Sequence, residues 1–272
     1  MKTGYFTTIK VKIPLSKFII HIPHASLKVP KEFKEKLTIE DKYFEKENIF
    51  MSDCGIDEFI PNDFPNIVRF DYSRMFCDVE KYLDDSKEEM SKYGMGAIYN
   101  KDSNGNEFIQ LDNNYKQYVI DNYYKKHHNE LDNMVEKIMN IYKDCVIIDL
   151  HSFSDEFVEK VLDKTDCPDI CIGVNESNCD LELLSSTVNY FSLWGYSVMI
   201  NYPYRGSIIS NKYPKVKSIM IEVNKRIYLN KQEDYNKFHD CMMEYCKLLK
   251  IKMWYNIFGE WWKCSRNFVK KL

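Results

Sequence analysis

Short apolar runs recur along the chain, each a few residues long and each ending in polar or turn-forming residues. FII at 18–20 runs into the Pro-marked HIPHAS, and NIVRFDYS at 66–73 alternates apolar with polar positions. CVIIDLHS (145–152), DICIGVN (169–175), YSVMINYP (196–203) and SIMIEV (218–223) continue the series. Runs of this length bounded by turn signals predict buried strands. Between them the period changes to that of a helix. Leu37, Phe44 and Ile49 space a charged helix over 31–50, and residues 52–60 read as a short helix start. Tyr115 to Tyr142 carries Leu131, Val135, Ile138 and Ile141 on one face. Residues 181–195 form a helix closing at Gly195, and 233–250 an amphipathic one. KYGMGAIYNKDSNGNEFI (92–109), with Gly94, Gly96 and an Asn104-Gly105 turn, predicts a long loop or hairpin. Strands alternating with helices imply an α/β fold, a central sheet with helices on both faces. In such sheets the chemistry sits beyond the strand carboxyl ends.

No linker or repeat divides residues 1–272, so a single domain is expected. At 272 residues, roughly 70–75% of the unfolded surface is buried on folding, enough for one large core. Lys and Arg total 38 against 41 Asp and Glu, a net charge of −3, which supplies no basic footprint for nucleic acid. The apolar runs are too short for a membrane span, and the first residues lack the apolar stretch of a signal peptide. Nine scattered cysteines, an odd number, argue against a disulfide framework. Cys167, Cys171 and Cys179 lack a paired zinc spacing and read as small buried residues. A cytoplasmic protein with reduced thiols is the expectation.

Three of the six histidines stand at strand ends: His21, His24 and His151. Imidazole is the commonest zinc ligand, and a catalytic zinc typically takes three protein ligands and leaves one position open. Two histidines therefore need one further donor, and SDCGIDEF offers Asp53 and Asp57, four residues apart. Each histidine alone is as well read as a hydrogen-bonded structural residue; the joint pattern favours a site. Glu222 lies inside an apolar strand, where a lone carboxylate is costly unless paired or functional. It is either an ion-pair partner of Arg226 or a general base. RFDYSR spaces Arg69, Asp71 and Arg74, and NYPYRGS supplies Asn201, Tyr204 and Arg205. These arginines are either surface charge or guanidinium forks for a substrate carboxylate.

HIPHAS, SDCGIDEF, RFDYSR, GMGAIYNKDSNG, DLHSFS, NYPYRGS and SIMIEVNKRIYL, in this order over residues 21–229, resemble the N-formylglutamate amidohydrolase family. The resemblance implies a three-layer fold like that of the zinc carboxypeptidases, a mixed central sheet flanked by helices, with one Zn2+ per chain at the strand ends. It makes His24 and His151 ligands and His21 a supporting or structural residue. The peptidases carry a Glu three residues after the first histidine, where this chain has Leu27, so Asp53 is assigned as the third ligand with Asp57 as alternative. Glu222 aligns with the general base. Arg74 matches the arginine of an Asn-Arg clamp, with Ser73 in place of the Asn. Arg69, Arg74, Asn201 and Arg205 are the expected substrate contacts. His128 matches a helical histidine of the family, or lies on a solvated helix face.

The implied activity is hydrolysis of a small N-formyl or N-acyl amino acid by a metal-activated water. A metallopeptidase or cell-wall amidase on the same scaffold, or a binding protein without turnover, are the competing readings. Trp254, Trp261, Trp262 and a basic end form an aromatic tail over about 251–272. Core packing is its plain reading; a homodimer contact or a membrane-surface touch are the others.

Overall fold

A computed structural model describes residues 16–250. The aromatic tail and the N-terminal segment lie outside the described residues, and so do the readings placed on them. Six strands form one sheet: β1 (Phe18–Ile22), β2 (Ile67–Arg69), β3 (Val146–Phe153), β4 (Ile170–Gly173), β5 (Val198–Ile200) and β6 (Lys217–Asn224). Their order is β2-β1-β3-β6-β4-β5. Every neighbouring pair is parallel except β4 with β6, so the sheet is mixed, as expected of this fold.

The period of two along each strand divides the molecule. Phe18, Ile20 and Ile22 of β1, Ile148 and Leu150 of β3, and Ile219, Ile221 and Val223 of β6 join one core. Helices α6 (Leu181–Leu193) and α8 (Gln232–Lys250) close that core with Leu183, Phe191, Phe238, Met242 and Tyr245. The intervening residues face the other way, where Ile19 and Ile147 pack under Leu131, Val135 and Ile138 of α4 (Lys125–Tyr142). On that second face the alternation also delivers His21, Asp149, His151 and Glu222. Register sets them side by side: His21 pairs with Asp149 and His151 with Glu222.

Over the carboxyl ends of β1, β2 and β3 sits a separate aromatic cluster that includes Phe33, Phe44, Phe76, Tyr99 and Phe108. Its buried members lie within residues 33–119, chiefly non-strand chain, and the same stretch carries Arg74, Asp78 and Glu80 towards the sheet.

Several elements differ from the pattern reading. The helix expected over 31–50 breaks into α1 (Lys31–Lys34) and α2 (Asp41–Met51), because Leu37 leaves helical geometry to bridge Ile109. Residues 92–109 hold isolated bridges rather than a regular hairpin. Between α3 (Asn113–Val119) and α4 the helix widens into a π-turn at Ile120–Tyr124. Ile141 is 42% exposed, so it lies off the buried face of α4. Helix α5 (Asp155–Leu162) follows β3 directly, capped by Ser154 accepting from Phe157 N–H; its few apolar positions left it unpredicted. Arg226 pairs with Asp155 and Asp169, so Glu222 has a different environment from the ion pair considered for it. The eight described cysteines are all free thiols, and no described helix is long and apolar enough to cross a membrane.

The loop after β5 is held against β4 by contacts that leave no room for a side chain at Gly173. A Cβ there would collide with the Gly206 carbonyl and with Met220. Because the carbonyl is main chain, the loop must move. Gly173→Ala is expected to cost about 1–3 kcal/mol, read as a lowered urea midpoint.

Candidate active site

Three loops and one strand end converge at the carboxyl edge of β1 and β3. His24 follows β1 after the Pro23 turn, and its carbonyl accepts Asp53 N–H at 2.9 Å, which draws the end of α2 alongside. His151 comes from β3. The three residues are 2–3% exposed. His24 Nδ1 and His151 Nδ1 are 3.2 Å apart, His151 Nδ1 and Asp53 Oδ2 are 3.2 Å apart, and His24 Nδ1 and Asp53 Oδ2 are 3.7 Å apart. Donors at zinc distances around a tetrahedral ion stand about 3.3 Å from one another.

The far nitrogens of both rings are fixed by carboxylates. His24 Nε2 donates to Asp78 Oδ1 at 2.8 Å, and His151 Nε2 lies 3.0 Å from both Asp149 Oδ1 and Glu80 Oε2. A proton held on each Nε2 leaves the two Nδ1 lone pairs facing Asp53, the tautomer a metal requires. The residues present therefore fit a small divalent cation: three buried donors of mixed N and O type, spaced for one ion.

Each supporting carboxylate is itself tied down. Asp78 Oδ2 accepts Arg74 Nε at 3.1 Å, Arg74 Nη2 at 2.9 Å and the Tyr99 hydroxyl at 2.8 Å. Asp149 Oδ1 also accepts His21 Nδ1 at 2.8 Å, and its Oδ2 accepts Ile208 N–H at 3.0 Å. His21 Nε2 meets His127 Nε2 of α4 at 2.8 Å. His21, Glu80 and Asp149 form a second group of closely spaced ligand-type atoms, adjoining the first through His151.

The electrostatics follow from burial and crowding. Burial alone would raise the Asp53 carboxyl, but His151, His24 and Arg74 outweigh it and bring it to about 2. Burial likewise opposes charge on His151, yet Glu80 and Asp149 hold its pKa well above the ordinary value. His24 moves down, chiefly by burial and then by the Arg74 charge. Glu222 behaves oppositely to Asp53. Burial dominates, the Asp53 and Glu80 charges add to it, and the carboxyl rises to about 8 against the pull of His151 and Arg74. Its Oε2 is buried without a hydrogen-bond partner. An orphaned carboxyl oxygen buried beside three metal-type donors marks Glu222 as a candidate functional group.

The remaining expected residues spread around this centre. Arg74 is inside it, with its Nε and Nη2 committed to Asp78 and its Nη1 4.0 Å from Asp53 Oδ1. Arg69 pairs with Asp57 at 3.3 Å, away from the three donors. Asn201 takes a left-handed backbone conformation, and its Oδ1 accepts Val174 N–H at 2.9 Å, shaping the loop after β5. Arg205 is exposed on that loop. His128 is buried rather than solvated, its Nε2 donating to Val79 O at 2.7 Å.

Asp78, Glu80, Asp149 and His127 were not singled out in the sequence. Asp149 had a usable signal: a carboxylate two residues before His151 in an apolar strand must share its face. Asp78 and Glu80 lie in irregular chain, where no period marks a position.

Two solved structures share the fold. An N-formylglutamate amidohydrolase from Ralstonia eutropha JMP134 superposes with a TM-score of 0.74 at 17% identity, covering 86% of this chain and 93% of that one. A gene product of Agrobacterium tumefaciens gives 0.64 at 15% identity, covering 87% and 92%. No curated protein sequence matches. Residues 16–229 match the N-formylglutamate amidohydrolase sequence profile. The chain thus belongs to the N-formylglutamate amidohydrolase family, hydrolases of a carbon–nitrogen amide bond other than a peptide bond.

Proposed function

We propose that this chain is a zinc-dependent amidohydrolase acting on a small N-formyl or N-acyl amino acid of the N-formylglutamate kind. The observation that carries the reading is the register pair His151–Glu222 beside His24 and Asp53. It sets a carboxyl raised to about 8 next to three spaced metal donors.

His24, Asp53 and His151 would hold the metal. A zinc ion there supplies a Lewis acid that acidifies water towards a pKa of about 7 and polarises an acyl carbonyl. Glu222 is the proton carrier: a divalent cation held beside it would favour its ionised form, and its Oε2 then accepts the proton of the attacking water and returns it to the departing amine nitrogen. Asp78, Glu80 and Asp149 hold the imidazole orientations, and Arg74 neutralises Asp78 while leaving its Nη1 edge towards Asp53. The exposed guanidiniums of Arg69 and Arg205 are the groups suited to a substrate carboxylate, with Asn201 setting the loop that presents Arg205. The burial of all three donors, under a loop tied down through Tyr99 to Asp78, favours a small substrate over a peptide.

Two measurements test this. Glu222→Gln should retain one metal per chain by elemental analysis, and its kcat on N-formyl amino acids should fall roughly 10²–10⁴-fold. His151→Ala should lose the metal; wild-type turnover in either variant would refute the mechanism. Stability against pH gives an independent check on the metal-free protein. An unfolded glutamate carboxyl has a pKa near 4.5, and burial raises the folded one to about 8. Between those values only the folded state holds the proton, so Glu222 makes stability fall as pH rises through that window. Urea midpoints measured from about pH 5 to about pH 8 should slope less in Glu222→Gln than in wild type.

A further inference from the structure

Helix α2 ends at Met51, two residues before Asp53, and its last turn contains no basic residue. The final carbonyls of a helix carry partial negative charge and need donors from elsewhere. Here they are supplied across the fold. Lys225 Nζ donates to Ser52 O at 2.6 Å and to Phe50 O at 3.3 Å. Arg74 Nη1 lies 3.5 Å from Met51 O. Lys225 directly follows β6, three residues beyond Glu222, and its own N–H donates to Phe153 O at the end of β3. Tyr228 OH, one helical turn later, donates to Cys54 O at 3.1 Å. The segment that carries Glu222 and adjoins His151 thus grips the backbone on both sides of Asp53.

This arrangement solves a specific problem. Asp53 sits in irregular chain, whereas His151 and Glu222 are held by sheet hydrogen bonds. A ligand on a loop drifts unless something rigid references it to the others. Resting on the ligand reading of Asp53 given above, we infer that Lys225 is a positioning residue. Its ammonium, by closing the carboxyl end of α2, sets the Asp53 carboxylate at coordination distance from the two histidines. Lys225 forms no hydrogen bond or ion pair with His24, Asp53, His151 or Glu222. Its half-buried cation next to Asp53 has no hydrogen-bonded carboxylate partner among the described residues, and a buried charge without one is costly unless its position serves a purpose.

The test is Zn2+ affinity by competition with a chromophoric chelator, on full-length wild type, Asp53→Asn, Lys225→Met and Lys225→Arg, alongside the thermal midpoint of each metal-free protein. Supporting-residue changes commonly weaken metal binding by about 10–100-fold. Lys225→Met is expected in that range, and Lys225→Arg should recover most of the affinity because it restores donors at the same carbonyls. A lowered midpoint with unchanged affinity would mark Lys225 as a purely structural cap and overturn the inference. Should Lys225→Met fail to fold, Lys225→Gln takes its place, since it keeps one donor and removes the charge. Should Asp53→Asn bind zinc as tightly as wild type, the ligand reading itself fails and takes this inference with it. An unchanged Lys225 variant beside a weakened Asp53→Asn would sink the positioning role alone.

Discussion

Five carboxylates, those of Asp53, Asp78, Glu80, Asp149 and Glu222, crowd the carboxyl end of the central strands, four of them in side chains at most 7% exposed. Buried negative charge at this density is unstable unless it is neutralised in place. Arg74 and the His151 imidazole lie among these carboxylates, and the Glu222 carboxyl is raised towards its neutral form. Removing one partner of a buried pair typically costs roughly 3–5 kcal/mol, because the other charge is left uncompensated. The rest of the site is arranged around that requirement. Asp78 is shared between His24, Arg74 and Tyr99, and Asp149 between His21, His151 and the Ile208 amide.

The same crowding divides labour between two similar groups. Asp53 and Glu222 are both buried carboxyls near His151, yet one is held at about 2 and the other is raised to about 8. Asp53 has His151 Nδ1 at 3.2 Å and the attraction of His151, His24 and Arg74. Glu222 has an oxygen with no partner, so desolvation is left to dominate. An environment that separates two carboxyls in this way is the basis for proposing ligation for one and proton transfer for the other. The assignment comes from partners, since the two side chains differ by a single methylene.

Motion of the site is constrained by the same contacts. The chain between β2 and α3 has little regular structure, but its aromatic cluster and the Tyr99–Asp78 bond pin it over the strand ends. The loop after β5 is tied at Asn201, at Gly173 and at Asp149. A site assembled from loops gains its rigidity from such cross-links more than from the sheet alone.

Much of this architecture could be read from the chain by itself. Each of the six described strands overlaps an apolar run, because alternation at period two and bracketing turn residues are local properties. That alternation also determined that His151 and Glu222 point away from the apolar face of their strands, since neighbouring apolar residues must take the opposite side. The motif order pointed to the family for a similar reason: each motif is a strand end or a tight turn, where few residue types serve. Tertiary structure alone decided the rest. Whether Asp53 or Asp57 meets the histidines depends on where α2 stops and on a bond from Asp53 N–H to the His24 carbonyl, neither of which has a periodic signature. Asp57 turns instead to Arg69. Asp78, Glu80 and Lys225 act over separations of tens to hundreds of residues, through loops whose course is set by packing. Local pattern specifies which way a side chain faces within its element. Only the closing of the fold specifies which charges become neighbours, and in this site the chemistry resides in those neighbours.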